Sequence, residues 1–184
     1  LKNMQAHELG SVVVKEAMNK SNLQPSDIDE LIMGQVLTGA AGQNPARQAA
    51  ILAGLPIEKT AYVINQVCGS GLRSIVAGYQ AIMSNDTNIV ITGGQESMSN
   101  APHAINFRNG QKLEEVNLVD TMIRDGLWDA FNGYHMGVTA ENVANKWQIT
   151  RKDQDEFALS SQGKAERAQK EGRFKNEIVP VVTK

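Results

Sequence analysis

Hydrophobic positions along the chain fall into blocks of two kinds. From residue 1 to about residue 20, Leu1, Met4, Leu9, Val12, Val13 and Ala17 recur at helical spacing, with Lys2, His7, Lys15 and Glu16 between them, which predicts an amphipathic helix with that stripe inward and His7 exposed. Residues 31–37, LIMGQVL, and residues 61–65, AYVIN, are short apolar runs of the kind that form buried strands. Gly34 weakens the first as a strand but allows close packing. Asn44 followed by Pro45 predicts an N-cap and first helical position for a helix over 45–53. After residue 68, Leu72, Ile75, Val76, Tyr79, Ile82 and Met83 mark a second amphipathic helix, and residues 88–94, NIVITGG, a third strand ending in a Gly-Gly turn. Strand, helix and strand alternate, which predicts a wound α/β sheet covered by helices on both faces.

Periodicity is lost over residues 100–132, an excursion of scattered apolar residues and turn formers. It returns as helices over 138–147 and from 151 to about 171. Thr150 and Asp153 form a capping box at the start of the second, Gly172 ends it, and Phe157, Ala158, Ala165 and Ala168 are its expected inner stripe. The β-prone IVPVVT closes the chain. The expected division is therefore an N-terminal α/β domain, 1–99, and a second domain, 100–184.

Composition adds constraints rather than a function. With 184 residues, 41% hydrophobic and 21% charged, the chain is of ordinary globular type. A formal charge of −2, from 18 basic and 20 acidic side chains, gives no general affinity for nucleic acid or anionic membranes. No run approaches the roughly 20 apolar residues of a membrane span, the start is unlike a secretory signal, and a cytoplasmic location is expected. The three histidines, His7, His103 and His135, are too far apart in sequence for a local metal motif, so no metal is expected. Glycines in GAAGQNP suggest a phosphate loop, but neither GxxxxGK[ST] nor GxGxxG occurs there.

The chemistry concentrates on the single cysteine. Cys68 sits in NQVCGSGLRS, between a predicted strand and a predicted helix, where Gly69 and Gly71 permit a sharp turn and the first helical amides would face the sulfur. The reactive species is the thiolate, and a helix N-terminus favours a nearby anion by roughly 0.3–2 kcal/mol. A lone cysteine is otherwise most simply a small buried hydrophobe; the flanking glycines and the helix start argue for a nucleophile. Glu96, just after a strand, reads as structural, its carboxylate receiving hydrogen bonds. Met136 and His135, taken alone, would be packing and a satisfied polar group.

NQVCGSGLRS together with IVITGGQESMS (residues 89–99) resembles the thiolases, and GLWDAFNGYHMGVTAENVA (126–144) resembles their biosynthetic acetoacetyl-CoA branch. The resemblance runs over essentially the whole chain and matches only the N-terminal half of a thiolase. It implies a thiolase fold, here the N-terminal half without its first strand plus part of an inserted, mainly helical loop domain. It implies an acetyl-CoA C-acetyltransferase in the complete protein, condensing two acetyl-CoA into acetoacetyl-CoA and coenzyme A, reversibly. Cys68 would be the nucleophile that carries the acyl group, its backbone N–H contributing to an oxyanion hole. Leu127, His135 and Met136 would contact the substrate. An activating His and a second Cys would come from the C-terminal half, so the fragment alone would be inactive. Coenzyme A is then a substrate carrier and no further cofactor is implied; the implied assembly is a homotetramer of dimers, with residues 102–120 as an assembly arm. The alternatives are a degradative 3-ketoacyl-CoA thiolase and, from another class, a catalytically silent half that binds or assembles with a partner polypeptide.

Overall fold

A computed structural model describes residues 1–108, 110 and 117–183. It contains five helices, α1 (Ala6–Lys20), α2 (Pro45–Ala53), α3 (Ser70–Met83), α4 (Met136–Trp147) and α5 (Arg151–Lys170), among the described residues. The strands are β1 (Glu30–Gly34), β2 (Thr60–Ile64), β3 (Val90–Gly94) and the two-residue β4 (His103–Ala104) and β5 (Val119–Asp120). β1 is central in a parallel sheet of order β2-β1-β3, with Gly34 in register with both Ile64 and Gly94. The β4–β5 ladder is antiparallel. Two compact units are present, Leu1–Gly126 with Val181–Lys184, and Leu127–Pro180. The first unit thus runs past the expected division at residue 99, and the 98–100 turn is tied to its N-terminal residues. Asn100 Nδ2 donates to the carbonyls of Lys2 and Met4, and Thr121 N–H to that of Pro102.

In the first unit the alternation of a strand decides which helix meets which side chain. Leu31 and Met33 point into a core built with Val14 and Met18 of α1 and Ala46, Ala49, Ala50 and Ala53 of α2. The alanines explain how two helices share one sheet face: small side chains let α1 and α2 approach closely above it. The predicted cap of α2 is present, with Asn44 Oδ1 accepting from Arg47 N–H and Pro45 at the first helical position. The Arg47 guanidinium donates to the carbonyls of Ile57 and Lys59, fastening the loop into β2 to α2. At the other end of the sheet, Asp29 Oδ2 accepts from the amides of Asn88 and Ile89, so the starts of β1 and β3 are pinned together.

Several helical stripes are not those expected. α1 buries Ala6, Gly10, Val14 and Met18 and leaves Val13 45% exposed. Close packing against an alanine-rich α2 selects the small-residue face over the bulkier one, and this rotates the helix by one position. His7 is consequently half-buried, with Nδ1 shielded and unpartnered among the described residues. α3 differs more. Its buried residues are Ser70, Ser74 and Gly78, and Leu72 and Tyr79 are 70% and 64% exposed. The small face lies on β1 and β3, and the large apolar stripe looks outward from the sheet.

Residues 127–180, taken by themselves, bury no side chain completely among those described. The capping box of α5 is formed, with Asp153 N–H donating to Thr150 Oγ1 and Thr150 N–H to Asp153 Oδ2, and Gly172 leaves the helix at φ 68°. The expected inner stripe is not buried: Phe157, Ala158 and Ala165 are exposed and Ala168 is half-buried. The final IVPVVT is not a strand in the described residues. Its central Pro180 has no amide to give a ladder.

Exposed contiguous apolar surface of this kind drives association in water. The 184-residue chain on its own is therefore expected to self-associate, detected by light scattering. Leu72→Lys with Tyr79→Lys should shift it toward monomer; a monodisperse monomer of the unmodified chain would contradict this account of α3.

Candidate functional site: a cysteine on a strand-to-helix turn

β2 ends at Ile64, whose carbonyl accepts from Gln35 N–H at 3.1 Å, so the exit of β2 is held to the exit of β1. Four residues later Cys68 stands exposed on the turn into α3. The turn's positive φ belongs to Val67, at 47°, and not to Gly69, at −82°. A β-branched residue in the left-handed region is sterically disfavoured and persists only where its surroundings hold it. Asn65 Oδ1 accepts from Val67 N–H at 2.9 Å, and the Ser70 hydroxyl donates to the Val67 carbonyl at 2.5 Å, so both peptide groups of Val67 are clamped. The same Ser70 Oγ accepts from Gln66 N–H at 2.9 Å. Gly69 N–H donates to Gln66 O and Ser70 N–H to Val67 O. Those two amides therefore close the turn, contrary to the expectation that the first helical amides face the sulfur.

Beneath the turn, backbone meets backbone. A Cβ built on Gly34 would lie 2.5 Å from the Ser70 carbonyl carbon and 2.6 Å from Gly71 N. The close packing that Gly34 allows is thus used by the first turn of α3. Along the helix, Ser74 Oγ lies 2.8 Å from Gly93 O, and a Cβ on Gly78 would meet Thr92 Cγ2 at 2.5 Å. Glu96 has the structural part expected of it: Oε2 accepts from Val36 N–H at 2.8 Å and Oε1 from Leu37 N–H at 3.1 Å, fixing the segment that leaves β1. Beside it Gln95 Nε2 donates to Gln35 Oε1 at 2.9 Å.

Leu127, His135 and Met136 all belong to the second unit. Leu127 is half-buried and ends a π-helical turn (Met122–Leu127). The adjoining residues 128 and 135 form an antiparallel bridge that brings Leu127 to the start of α4. His135 is the N-cap of α4, its Nδ1 accepting from Gly137 N–H at 3.0 Å, which leaves Nε2 carrying the proton in the neutral ring. Met136 is 38% exposed.

Asp129 organises this hairpin, a role that sequence reasoning missed. Oδ1 accepts from Phe131 N–H and Asn132 N–H, both at 2.8 Å, and Oδ2 from Asn132 Nδ2 at 2.9 Å. Its backbone donates to Tyr134 O and accepts from Gly133 N–H. The signal was present in DAFNG, an aspartate placed to hydrogen-bond the amides two and three residues on, followed by the Asn-Gly of a tight turn. Hydrogen bonds from Asn132, side chain and backbone, and from Phe131 hold the Asp129 carboxyl below the usual carboxylate range.

The fold and the turn define a parallel α/β protein that presents an exposed thiol at a strand-to-helix junction. Its sequence matches the family model described as thiolase, N-terminal domain, over residues 1–184. The chain belongs to the thiolase family. It is 59% identical over 182 residues to an acetyl-CoA acetyltransferase of Paracoccus denitrificans and 57% identical over 182 residues to one of Rhizobium meliloti, in each case over 99% of this chain and 46% of the relative. Among solved structures, the Acat5 thiolase of Ascaris suum in complex with coenzyme A superposes with a TM-score of 0.94 at 42% identity, over 98% of this chain and 47% of that one. The chain spans about half the length of the curated relatives it matches.

The Asp129 bonds predict an acid-sensitive hairpin. A carboxylate whose folded value is depressed contributes stability that is complete above its unfolded value, about 3.9, and is lost as pH falls through the folded value. The amide resonances of Phe131 and Asn132 should therefore hold steady from neutral pH to about 4 and shift below it. Asp129→Ala should remove the transition; a transition that persists in this variant would reassign it.

Proposed function

We propose that the complete protein is an acetyl-CoA C-acetyltransferase, condensing two acetyl-CoA into acetoacetyl-CoA and coenzyme A, and that this chain supplies its acyl-carrying cysteine. The observation that carries the proposal is the exposed Cys68 on a clamped turn, in a chain 59% identical to a protein named acetyl-CoA acetyltransferase. The Cys68 thiolate attacks the thioester carbonyl of acetyl-CoA, and the negative oxygen of the tetrahedral intermediate accepts a hydrogen bond from the Cys68 backbone N–H. The carbon–sulfur bond to coenzyme A then breaks, leaving acetyl-Cys68 and a thiolate that takes up a proton. A base removes an α-proton from a second acetyl-CoA. The resulting enolate attacks acetyl-Cys68, expelling the Cys68 thiolate and forming acetoacetyl-CoA.

On this reading the activating His and the second Cys, which handles the α-proton, come from the other half of a thiolase. Leu127 and Met136 offer apolar contact to the acyl and pantetheine end, and His135 its Nε2 edge; none of the three transfers a proton. A free thiol of this kind works best in a reducing compartment, which favours the cytoplasm.

In the complete protein, iodoacetamide should alkylate Cys68 and acetyl-CoA should block the label by forming the acyl-enzyme, both read by peptide mass spectrometry. Cys68→Ser should lose at least about 1,000-fold in turnover, since a hydroxyl is far less ionised than a thiol at neutral pH. Labelling unaffected by acetyl-CoA, or turnover retained in Cys68→Ser, would overturn the nucleophile.

The assembly proposal is a homotetramer of dimers with residues 102–120, which lie partly outside the described residues, at the contact between dimers. Deleting them from the complete protein should leave dimers by analytical ultracentrifugation, and unchanged tetramers would refute the assignment.

A further inference from the structure

We infer that Ser70 and Gly34 are positioning residues for Cys68, holding the cysteine turn at a fixed height above the sheet. The inference rests on the reading of Cys68 as nucleophile. Two independent observations support it. First, Ser70 is only 4% exposed, and its hydroxyl spans the turn, accepting from Gln66 N–H and donating to Val67 O, the residues immediately before Cys68. Val67 is held at φ 47°, which a valine does not adopt unaided. Without the hydroxyl, only Asn65 Oδ1 and the closing backbone bonds restrain that peptide, and the turn can relax toward ordinary φ.

Second, the same serine's backbone rests directly on Gly34. All three nearest atoms to a Cβ built there are main-chain: Ser70 C at 2.5 Å, Gly71 N at 2.6 Å and Ser70 O at 2.7 Å. Carbon contacts settle near 3.5–4.0 Å, so a methyl group at residue 34 would lift the first turn of α3 by about 1 Å. No side-chain rotation relieves this. β1 is equally unable to retreat, because it is the central strand, bonded on both edges to β2 and β3. The displacement therefore passes to the turn carrying Cys68, whose sulfur and N–H must both meet one thioester carbonyl. A misplacement of about 1 Å at a reacting group costs on the order of 100-fold in rate.

Gly78 provides the comparison. It lies two turns further along the same helix face, and a Cβ there meets Thr92 Cγ2 at 2.5 Å, a side-chain atom that can be removed. Its substitution disturbs the same helix-on-sheet packing without touching the cysteine turn.

The test uses the complete enzyme, with kcat and KM for thiolysis of acetoacetyl-CoA, the rate of Cys68 acylation by quenched-flow mass spectrometry, and the thermal midpoint. Ser70→Ala and Gly34→Ala should each lower kcat and the acylation rate about 10- to 100-fold with KM changed less than about threefold. Gly78→Ala combined with Thr92→Ser should keep kcat within about threefold at a comparable thermal midpoint. If Gly34→Ala does not fold, Ser70→Ala decides alone. Wild-type kcat in Ser70→Ala, or an equal kcat loss in the Gly78 and Thr92 pair, overturns the inference. Cys68→Ala separates the two claims: turnover surviving in it refutes the nucleophile, and an inactive Cys68→Ala beside a fully active Ser70→Ala refutes the positioning role only.

Discussion

A helix can lie on a sheet at side-chain distance or at backbone distance, and α3 takes the second option at its first turn. Ser70, Ser74 and Gly78 recur every fourth residue and form one face. Opposite them β1 and β3 present Gly34, Gly93 and Thr92. With so few side-chain atoms between them, the two backbones interlock, and sliding or tilting the helix would produce main-chain overlap. A side chain at residue 34 would return the first turn of α3 to ordinary packing distance. The height of the cysteine turn above the sheet is thus set by absent side chains.

That contact also explains why strain can be tolerated next to Cys68. Leaving β2 and entering a helix whose position is already set requires the chain to reverse within residues 65–69, and Val67 takes up the awkward φ. Local hydrogen bonds from Asn65, Ser70 and the turn amides offset the cost, roughly 1–3 kcal/mol for a residue in a sparsely populated region. Gln35 ties Ile64, and Glu96 ties Val36 and Leu37, so the exits of the β1 and β2 strands are immobilised together.

The order of elements, the cap at Asn44, the capping box at Thr150 and the strand-to-helix setting of Cys68 were legible in the sequence because each depends on local chemistry. The faces of α1, α3 and α5 were not. Helical periodicity identifies an apolar stripe but assumes that the stripe meets the sheet. In α3 the serines and glycine meet it, and Leu72 and Tyr79 lie on the opposite side. The extent of β1 was overread for a related reason: Val36 and Leu37 resume the apolar run after Gln35, but the backbone amides of these three residues turn to the Ile64 carbonyl and the Glu96 carboxylate. Which residue takes positive φ was also hidden, because glycines advertise a permission that the fold need not use. Of the expected site residues, Cys68 had its strand-to-helix setting written in the local sequence. Leu127, His135 and Met136 rested on resemblance, and Asp129 needed only its turn pattern.

The two faces of α3 couple the Cys68 turn to its surroundings in different ways. One face is locked to the sheet at backbone distance. The other carries Leu72, Ile75, Tyr79 and Met83, each more than half exposed here. Burying one such side chain is worth about 1.5–3 kcal/mol, so whatever covers this stripe gains a hold on the helix comparable to that of a whole turn of core. Burial of this stripe would stabilise the helix where it lies on the sheet, while its register there is set by the backbone contact at Gly34. The small residues thus supply position, and Cys68, beside the point where the two backbones are closest, takes its placement from them.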